Sequence, residues 1–475
     1  MTKRSITAMA TVTLGLLLTG CASVPSKGGF DQVQQATTQR LGKKVQWNQG
    51  TADDKAVAQA VHSLLQRPLT ADDAVQIALL NNRRLQATYE ELGVAQANLV
   101  QAGLLKNPRF SGSFEPPVSS GPKPVIGLEL TQDFLDLFLV GLRKNIASSE
   151  FDAAKARVTI AVMDQAGETR VAFLELQAAE QLLEMRRSVA DAATASAEAS
   201  QKLFDVGNIT KLALANERAG LSQARLELAA AQAQTVDRHE RLTRLMGLWG
   251  ADATAWRATG RLPELPKDEI NLNDIERRAI DQSLDLAEVK AKVQIAAGRA
   301  GITQWSAILS DLEVGVISTR ENDGFWHVGP SVSLQIPIFD QGQARNAAAA
   351  AQLRRALQEY VAEAVELRSA ARAARDRLVA ARERAAYCHD VSLPVRHEVL
   401  LESHLQYNAM QIGVFQLLLA KRAEIEAGSQ YVESLRDYWM ARASLELILA
   451  GRNTAGSSDA ARSSLAGAGS ERKDH

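Results

Sequence analysis

The sequence predicts a mainly α protein with a small β part. Its long coiled-coil-like helices form two tandem repeats, and each repeat carries a β-hairpin. Three observations lead there. The twelve prolines leave two long stretches nearly free of proline. Residue patterns recur at a near-constant offset, and two short stretches between the helical ones alternate with a period of two.

Proline removes a backbone donor and clashes with the preceding turn, so long helices fit only where it is absent. From Leu142 to Leu248 the chain is dominated by Ala, Leu, Glu, Gln and Arg, all strong helix formers. From Gln343 to Ala450 it has the same character, with Pro394 as the one interruption and the expected site of a kink. An unbroken helix of about 60 residues would reach roughly 90 Å. Helices of that length are not the core of an ordinary globular domain and need coiled-coil-like neighbours.

The repeat shows first at helix starts. Thr70 and Asp73 read as a capping box opening a helix. At an offset of 201, Asn271 and Asp274 take those two places, and Ala78, Leu85 and Ala95 meet Ala279, Leu286 and Ala296. A second pairing, at an offset of 206, matches Val206-Gly207 with Ile412-Gly413 and Leu212 with Leu418. The order of these matches reads as a duplication joined near Leu262 to Lys267. The expected division is a signal peptide over 1–20 and an N-terminal extension over 21–68. The two repeats follow over 69–262 and 263–450, and a disordered tail over 451–475.

Within the first repeat, Phe110, Gly112 and Phe114 alternate with polar or small residues. Beyond the turn-rich Pro116 to Pro124 stretch, Ile126, Leu128 and Leu130 do the same. In the second repeat, Leu312, Val314 and Val316 alternate, and after Glu321 to Gly324 so do Val328, Val332, Leu334, Ile336 and Ile338. This is the signature of two hairpins, each with one apolar and one polar face. Strands of about ten residues would suit a membrane β-strand. Four strands cannot close a barrel and an open edge is not tolerated in lipid, so several copies are required if the hairpins enter a membrane. Phe134, Phe138 and Phe339, at the strand-to-helix passages, are expected members of an aromatic girdle.

The front end is a targeting segment. Lys3 and Arg4 precede an apolar run from Ile6 to Leu18, and Leu18-Thr19-Gly20-Cys21 resembles the lipobox of bacterial lipoproteins. Cys21 is therefore the expected lipid-attachment site, against the plainer reading of a secretory signal with a chance cysteine. Ala22, rather than an aspartate, permits sorting to the outer membrane. Cys388 is the second of two cysteines, so lipidation of Cys21 leaves no intrachain disulfide. A net charge of -1 gives no electrostatic case for nucleic acid.

Together the element order, the duplication and certain motifs resemble the TolC-type outer-membrane efflux protein family. The carrying residues are Leu69 to Phe114, with Ala102-Gly103-Leu104-Leu105-Lys106-Asn107-Pro108, then Ile336-Pro337-Ile338-Phe339-Asp340-Gln341-Gly342, and the Gly207 and Gly413 segments. The likeness runs from Leu69 to Gly451. It implies a homo-trimer with a twelve-stranded transmembrane β-barrel and a periplasmic α-barrel. The implied partners are a periplasmic membrane-fusion adaptor, an inner-membrane efflux pump and outer-membrane lipid. The segments around Val206-Gly207 and Ile412-Gly413 resemble the family's helix tips, which adaptors contact and which close the tunnel, although a glycine could serve only to turn the chain. Some relatives place acidic residues after the second tip glycine. Here Lys421 and Arg422 stand nearby instead, as a possible constriction or as a solvated face.

Cys388, His389, His397 and His404 invite a metal reading, but their helical spacing sets the histidines on the order of 10 Å or more apart, too far for one ion. No phosphate loop, nucleophile elbow or zinc motif occurs. Neither an enzyme nor a bound cofactor is expected. The leading reading is a passive efflux duct. A periplasmic adaptor lipoprotein and a lipid-tethered coiled-coil scaffold are the alternatives, and the exported compound and the role of residues 22–67 are left open.

Overall fold

The computed structural model describes residues 23–116, 123–133, 135–308, 312–335 and 338–453. Cys21, Phe134 and the tail beyond Asn453 lie outside these residues. In chain order the elements are α1 (Phe30–Leu41), α2 (Ala52–Leu65), α3 (Ala71–Asn81), α4 (Arg83–Ala102), β1 (Arg109–Glu115), β2 (Val125–Asp133), α5 (Leu135–Asp205) and α6 (Lys211–Leu245). The second repeat supplies α7 (Ile275–Gln282), α8 (Leu284–Ile308), β3 (Glu313–Arg320), β4 (Trp326–Ser333), α9 (Gln343–Tyr387), α10 (Leu393–Asn408) and α11 (Val414–Leu449).

The long proline-free stretch folds as expected: α5 runs 71 residues. At Pro394 the outcome is more specific than a kink. A π-turn over Cys388–Ser392 precedes the proline, and Leu393 N donates to Cys388 O, five residues back. The wider turn admits an imino ring that an α turn would reject, and Pro394 then stands in the first turn of α10.

Thr70 caps α3 as predicted. Its hydroxyl accepts from Asp73 N at 3.1 Å, and Asp73 Oδ2 accepts from Thr70 N at 3.1 Å. The second repeat departs from the expected equivalence. Asp274 is itself the cap of α7, in a left-handed conformation with φ 51°, and makes no side-chain cap bond. Asn271 Oδ1 instead accepts from Asn273 N. The equivalence holds at the next joint. Asn82 Oδ1 accepts from Leu85 N at the start of α4, and Ser283 Oγ accepts from Leu286 N at the start of α8.

The chain divides into two compact units, and each draws on both repeats. The first comprises Met1–Val33, Tyr89–Val158 and Ala287–Ala362. It holds one antiparallel sheet in the order β1-β2-β3-β4, so the two hairpins share a single sheet. The strands are seven to nine residues long, slightly shorter than expected, and β4 ends at Ser333, before Leu334. Phe110 pairs with Leu130, which pairs with Val316, which pairs with Pro330. Ser111 likewise aligns with Glu129, Ile317 and Gly329.

The second unit comprises Gln34–Thr88, Thr159–Leu286 and Glu363–His475. One core gathers Leu69, Ile77, Phe173, Leu176, Leu242, Met246 and Trp256. A second core, around Ile275, Ala279, Leu378, Tyr438 and Leu445, belongs to the later repeat. Arg452 and Asn453, inside the span expected to be disordered, have fixed partners. Arg452 reaches Asp164 and Asp285 at 2.6 Å each, and Asn453 reaches Asp285 and Glu363.

Candidate functional site

Directly opposed residues of an antiparallel sheet share a face, so the register sorts the sheet into two surfaces. One carries Phe110, Phe114, Leu128, Leu130, Val316, Val328 and Val332. The other carries Ser111, Ser113, Glu129, Thr131, Gly315, Gly329 and Ser331. The apolar set is open to the surroundings, with Phe110 68% and Val328 70% exposed. A sheet in water would bury that face. Phe138 and Phe339, next to the strands, are exposed as well.

On the polar face, Arg109 pairs with Glu313 at 3.4 Å, and Lys106 Nζ, just outside the sheet, lies 2.8 Å from Asp133. Glu115 and Glu129 enter no ion pair among the described residues, so this surface carries a negative surplus. Among the described residues the outer edges of β1 and β4 pair with no strand, and unpaired ladder groups have no place in hydrocarbon.

The helix tips lie in the second unit. At the first, Gly207 N donates to Phe204 O and Asn208 N to Leu203 O, with Gly207 at φ 75°. At the second, Met410 N donates to Tyr407 O and Gln411 N to Gln406 O, with Met410 at φ 58°. The hydrogen bonds superpose at an offset of 203, which corrects the pairing at 206. The partner of Gly207 is Met410, while Gly413, with φ −81°, caps α11 as Thr210 caps α6. Matching glycine to glycine gives the wrong partner here. A non-glycine residue in the left-handed region leaves little trace in sequence. Val206, Gly207 and Gly413 are exposed and Ile412 is half-buried. Met410, which sequence reasoning passed over, is 93% exposed.

Lys421 and Arg422 have different surroundings. Lys421 Nζ lies 2.6 Å from Glu424 Oε2, and His397 Nδ1 lies 2.8 Å from the other oxygen, Oε1. Burial raises the Glu424 pKa, but the hydrogen bonds from Lys421 and His397 outweigh it and hold the carboxyl below its usual range. Arg422 borders a cavity shared with Ser196, Glu217 and Gly220, where Ser196 Oγ donates to Glu217 at 2.6 Å. The remaining histidines have local partners: His389 beside Asp390, and His404 beside Asn408. Among the described residues no group of three His, Cys, Asp or Glu could hold a metal ion, and no helix is long and apolar enough to cross a membrane.

Three similarities bear on this arrangement. The cobalt-zinc-cadmium resistance protein CzcC of Cupriavidus metallidurans is 23% identical over 394 residues, covering 80% of this chain and 90% of its own. A membrane protein from Pseudomonas aeruginosa shares the fold with a TM-score of 0.68 at 19% identity, covering 80% of this chain and 93% of that one. The CmeC outer membrane channel of Campylobacter jejuni does so with a TM-score of 0.66 at 16% identity, covering 81% and 86%. The family model described as outer membrane efflux protein matches residues 74–248, a span running from α3 through the first hairpin and tip to the end of α6. Over that span the chain is thus similar to the outer membrane efflux protein family.

Proposed function

We propose that this chain is the duct subunit of a tripartite efflux system, with three copies closing one barrel. The observation that carries the reading is the four-stranded sheet, apolar on one face, polar on the other and open at both edges. In this reading β1 of one copy continues the ladder of β4 in the next, which satisfies the edges. The apolar face meets lipid, and Ser111, Glu129 and Ser331 face water. Lipid on Cys21 adds a tether whose acyl chains hold the chain at the membrane. Val206, Gly207, Ile412 and Gly413 form the tips that a periplasmic adaptor contacts, with energy supplied by an inner-membrane pump.

Divalent metal cations are the cargo this reading favours. The similarity to a cobalt-zinc-cadmium resistance protein supports it, and so does the surplus of carboxylates on the polar face. The lack of a clustered metal site among the described residues suits a path of transit rather than of storage.

The test is planar-bilayer conductance of the detergent-purified protein, with its mass measured in the same preparation. Discrete ohmic steps from a trimer are expected, and a tip-loosened variant with alanines around Gly413 should conduct where the parent rests closed. If that variant stays silent and monomeric, the duct reading fails. Val328→Arg, on the apolar face near mid-strand, should cost about 2–4 kcal/mol of membrane insertion, whereas Ser331→Arg on the polar face should insert normally and shift ion selectivity.

A further inference from the structure

We infer that the second unit holds a binding site for a small oxyanion carrying two or more negative charges, of phosphate to citrate size. The site is a cavity of about 470 Å³ between the N-terminal segment and helices α3, α5, α7 and α11. Four cations line it, Arg40, Lys43, Arg170 and Arg278, against one carboxylate, Glu446.

The local pairing leaves this positive charge largely uncompensated. Arg40 Nη1 donates to two main-chain carbonyls, those of Gln282 at 2.8 Å and Ala450. Arg278 Nη1 donates to Asn271 O at 2.7 Å. Neither guanidinium has a carboxylate partner among the described residues. Lys43 and Arg170 share a single oxygen of Asp72, at 3.2 and 2.8 Å. Glu446 is divided between Arg170 and Arg442. Burial pushes the Arg40 pKa below its ordinary value, a penalty that a bound anion would relieve.

The duplication supplies the independent argument. The joints Asn82 and Ser283 fix an offset of 201 for α3 and α7. Gly247 and Gly451, which end α6 and α11 with the same hydrogen bonds, fix an offset of 204 there. At those offsets Ile77, Leu242 and Met246 correspond to Arg278, Glu446 and Ala450. The first three are fully buried core residues, and the second three line the cavity. One scaffold is thus filled with apolar side chains in one repeat and left open and charged in the other. Folding alone is better served by the filled version. Convergent, unpaired guanidiniums in a cavity fit bidentate oxyanion recognition.

The experiment is titration calorimetry and thermal melting of the purified full-length protein with sodium phosphate and sodium citrate, against sodium chloride at matched ionic strength. Either oxyanion is expected to bind and to raise the melting midpoint by about 2 °C or more where chloride does not. Arg278→Gln should weaken binding about tenfold, the loss of one charge-assisted contact. Glu446→Gln, which removes the lining carboxylate, should tighten it. Absence of an oxyanion effect overturns the inference, including the case in which an acidic segment of a second copy covers the cations. So does equal binding by wild type and Arg278→Gln. Should Arg278→Gln fail to fold, Glu446→Gln decides alone, and unchanged or weaker affinity overturns the site.

Discussion

The two repeats hold the same backbone hydrogen bonds at two places, the tips and the ends of α6 and α11, and fill them with different residues, while the starts of α3 and α7 differ in the cap itself. At the tips, Gly207 faces Met410. At the ends of α6 and α11, Leu242 and Met246 face Glu446 and Ala450. At the starts of α3 and α7, a full capping box faces Asp274 with no side-chain cap bond. Backbone pattern outlasts side-chain identity here, because the pattern follows from chain geometry whereas each side chain answers to its own surroundings. Exchanging residues between the repeats therefore separates what the scaffold needs from what the later repeat has been given to do.

The largest effect belongs to Leu242→Glu, which puts the later repeat's residue into the earlier core. Leu242 is 0% exposed among Phe173, Leu176 and Trp256. The loss should exceed the ~2–5 kcal/mol of a leucine-to-alanine truncation, because a carboxylate is also buried without a partner. The reverse exchange, Glu446→Leu, acts on a side chain 37% exposed and should change stability by less than about 1 kcal/mol. Urea midpoints of the two variants in detergent make the comparison. Similar losses would mean that the two corners are not equivalent sites.

Next comes the tip. Met410 holds a left-handed conformation that costs a residue with a Cβ roughly 1–2 kcal/mol. Glycine relieves this at about 0.5–1 kcal/mol of backbone entropy. Met410→Gly should therefore stabilise the second tip by about 0.5–1 kcal/mol, and Gly207→Met should destabilise the first by about 0.5–1 kcal/mol, the same balance reversed. Hydrogen exchange at the tip amides reads both signs. If Met410→Gly also weakens adaptor binding, the strain at Met410 is maintained for docking.

Smaller again is the helix start. Thr70→Ala removes a cap hydroxyl and should cost about 1 kcal/mol. Asp274→Ala removes no side-chain bond to the helix and should stay within roughly 0.5 kcal/mol. Equal losses would show that Asp274 acts through something other than capping.

Much of this was legible in sequence wherever one physical rule dominates. Proline-free runs gave α5, α6, α9 and α11. Period-two alternation gave both hairpins and sorted their faces correctly, and Thr70 with Asp73 gave a cap. What sequence missed depends on three-dimensional neighbours. Matching Gly413 to Gly207 shifts the correspondence between the repeats by three residues, because Met410 occupies a conformation usually reserved for glycine. The union of the hairpins in one sheet, and the convergence of Arg40 from the N-terminal segment with Arg278 from α7, join residues far apart in sequence, such as Ile126 with Arg320. No local pattern announces such contacts. The spacing of Lys421 and Glu424 on one helix is local, whereas the approach of His397 from α10 to the same carboxylate is a tertiary contact.

Acid should then distinguish the two helical hairpins. Near the second tip, Glu424 joins Lys421 to His397 across α11 and α10. At the tip offset of 203 the counterparts are Leu221, Arg218 and Thr194, and Leu221 packs against the apolar cluster of Val189, Ala193 and Ala224. The first hairpin therefore has no carboxylate at the position of Glu424. Because the folded Glu424 pKa lies below its ordinary value of 4.5, its contribution is fully present above that value and is lost as pH falls through the lower folded one. Amide exchange followed from pH 6 downward, corrected for intrinsic rates, should show α10 and the start of α11 loosening below about pH 4.5, ahead of the end of α5. Glu424→Gln should abolish that difference while leaving the exchange rates of the first tip unchanged. If both hairpins loosen together, or if Glu424→Gln keeps the acid response, the contacts of Glu424 with Lys421 and His397 do not distinguish the second hairpin from the first.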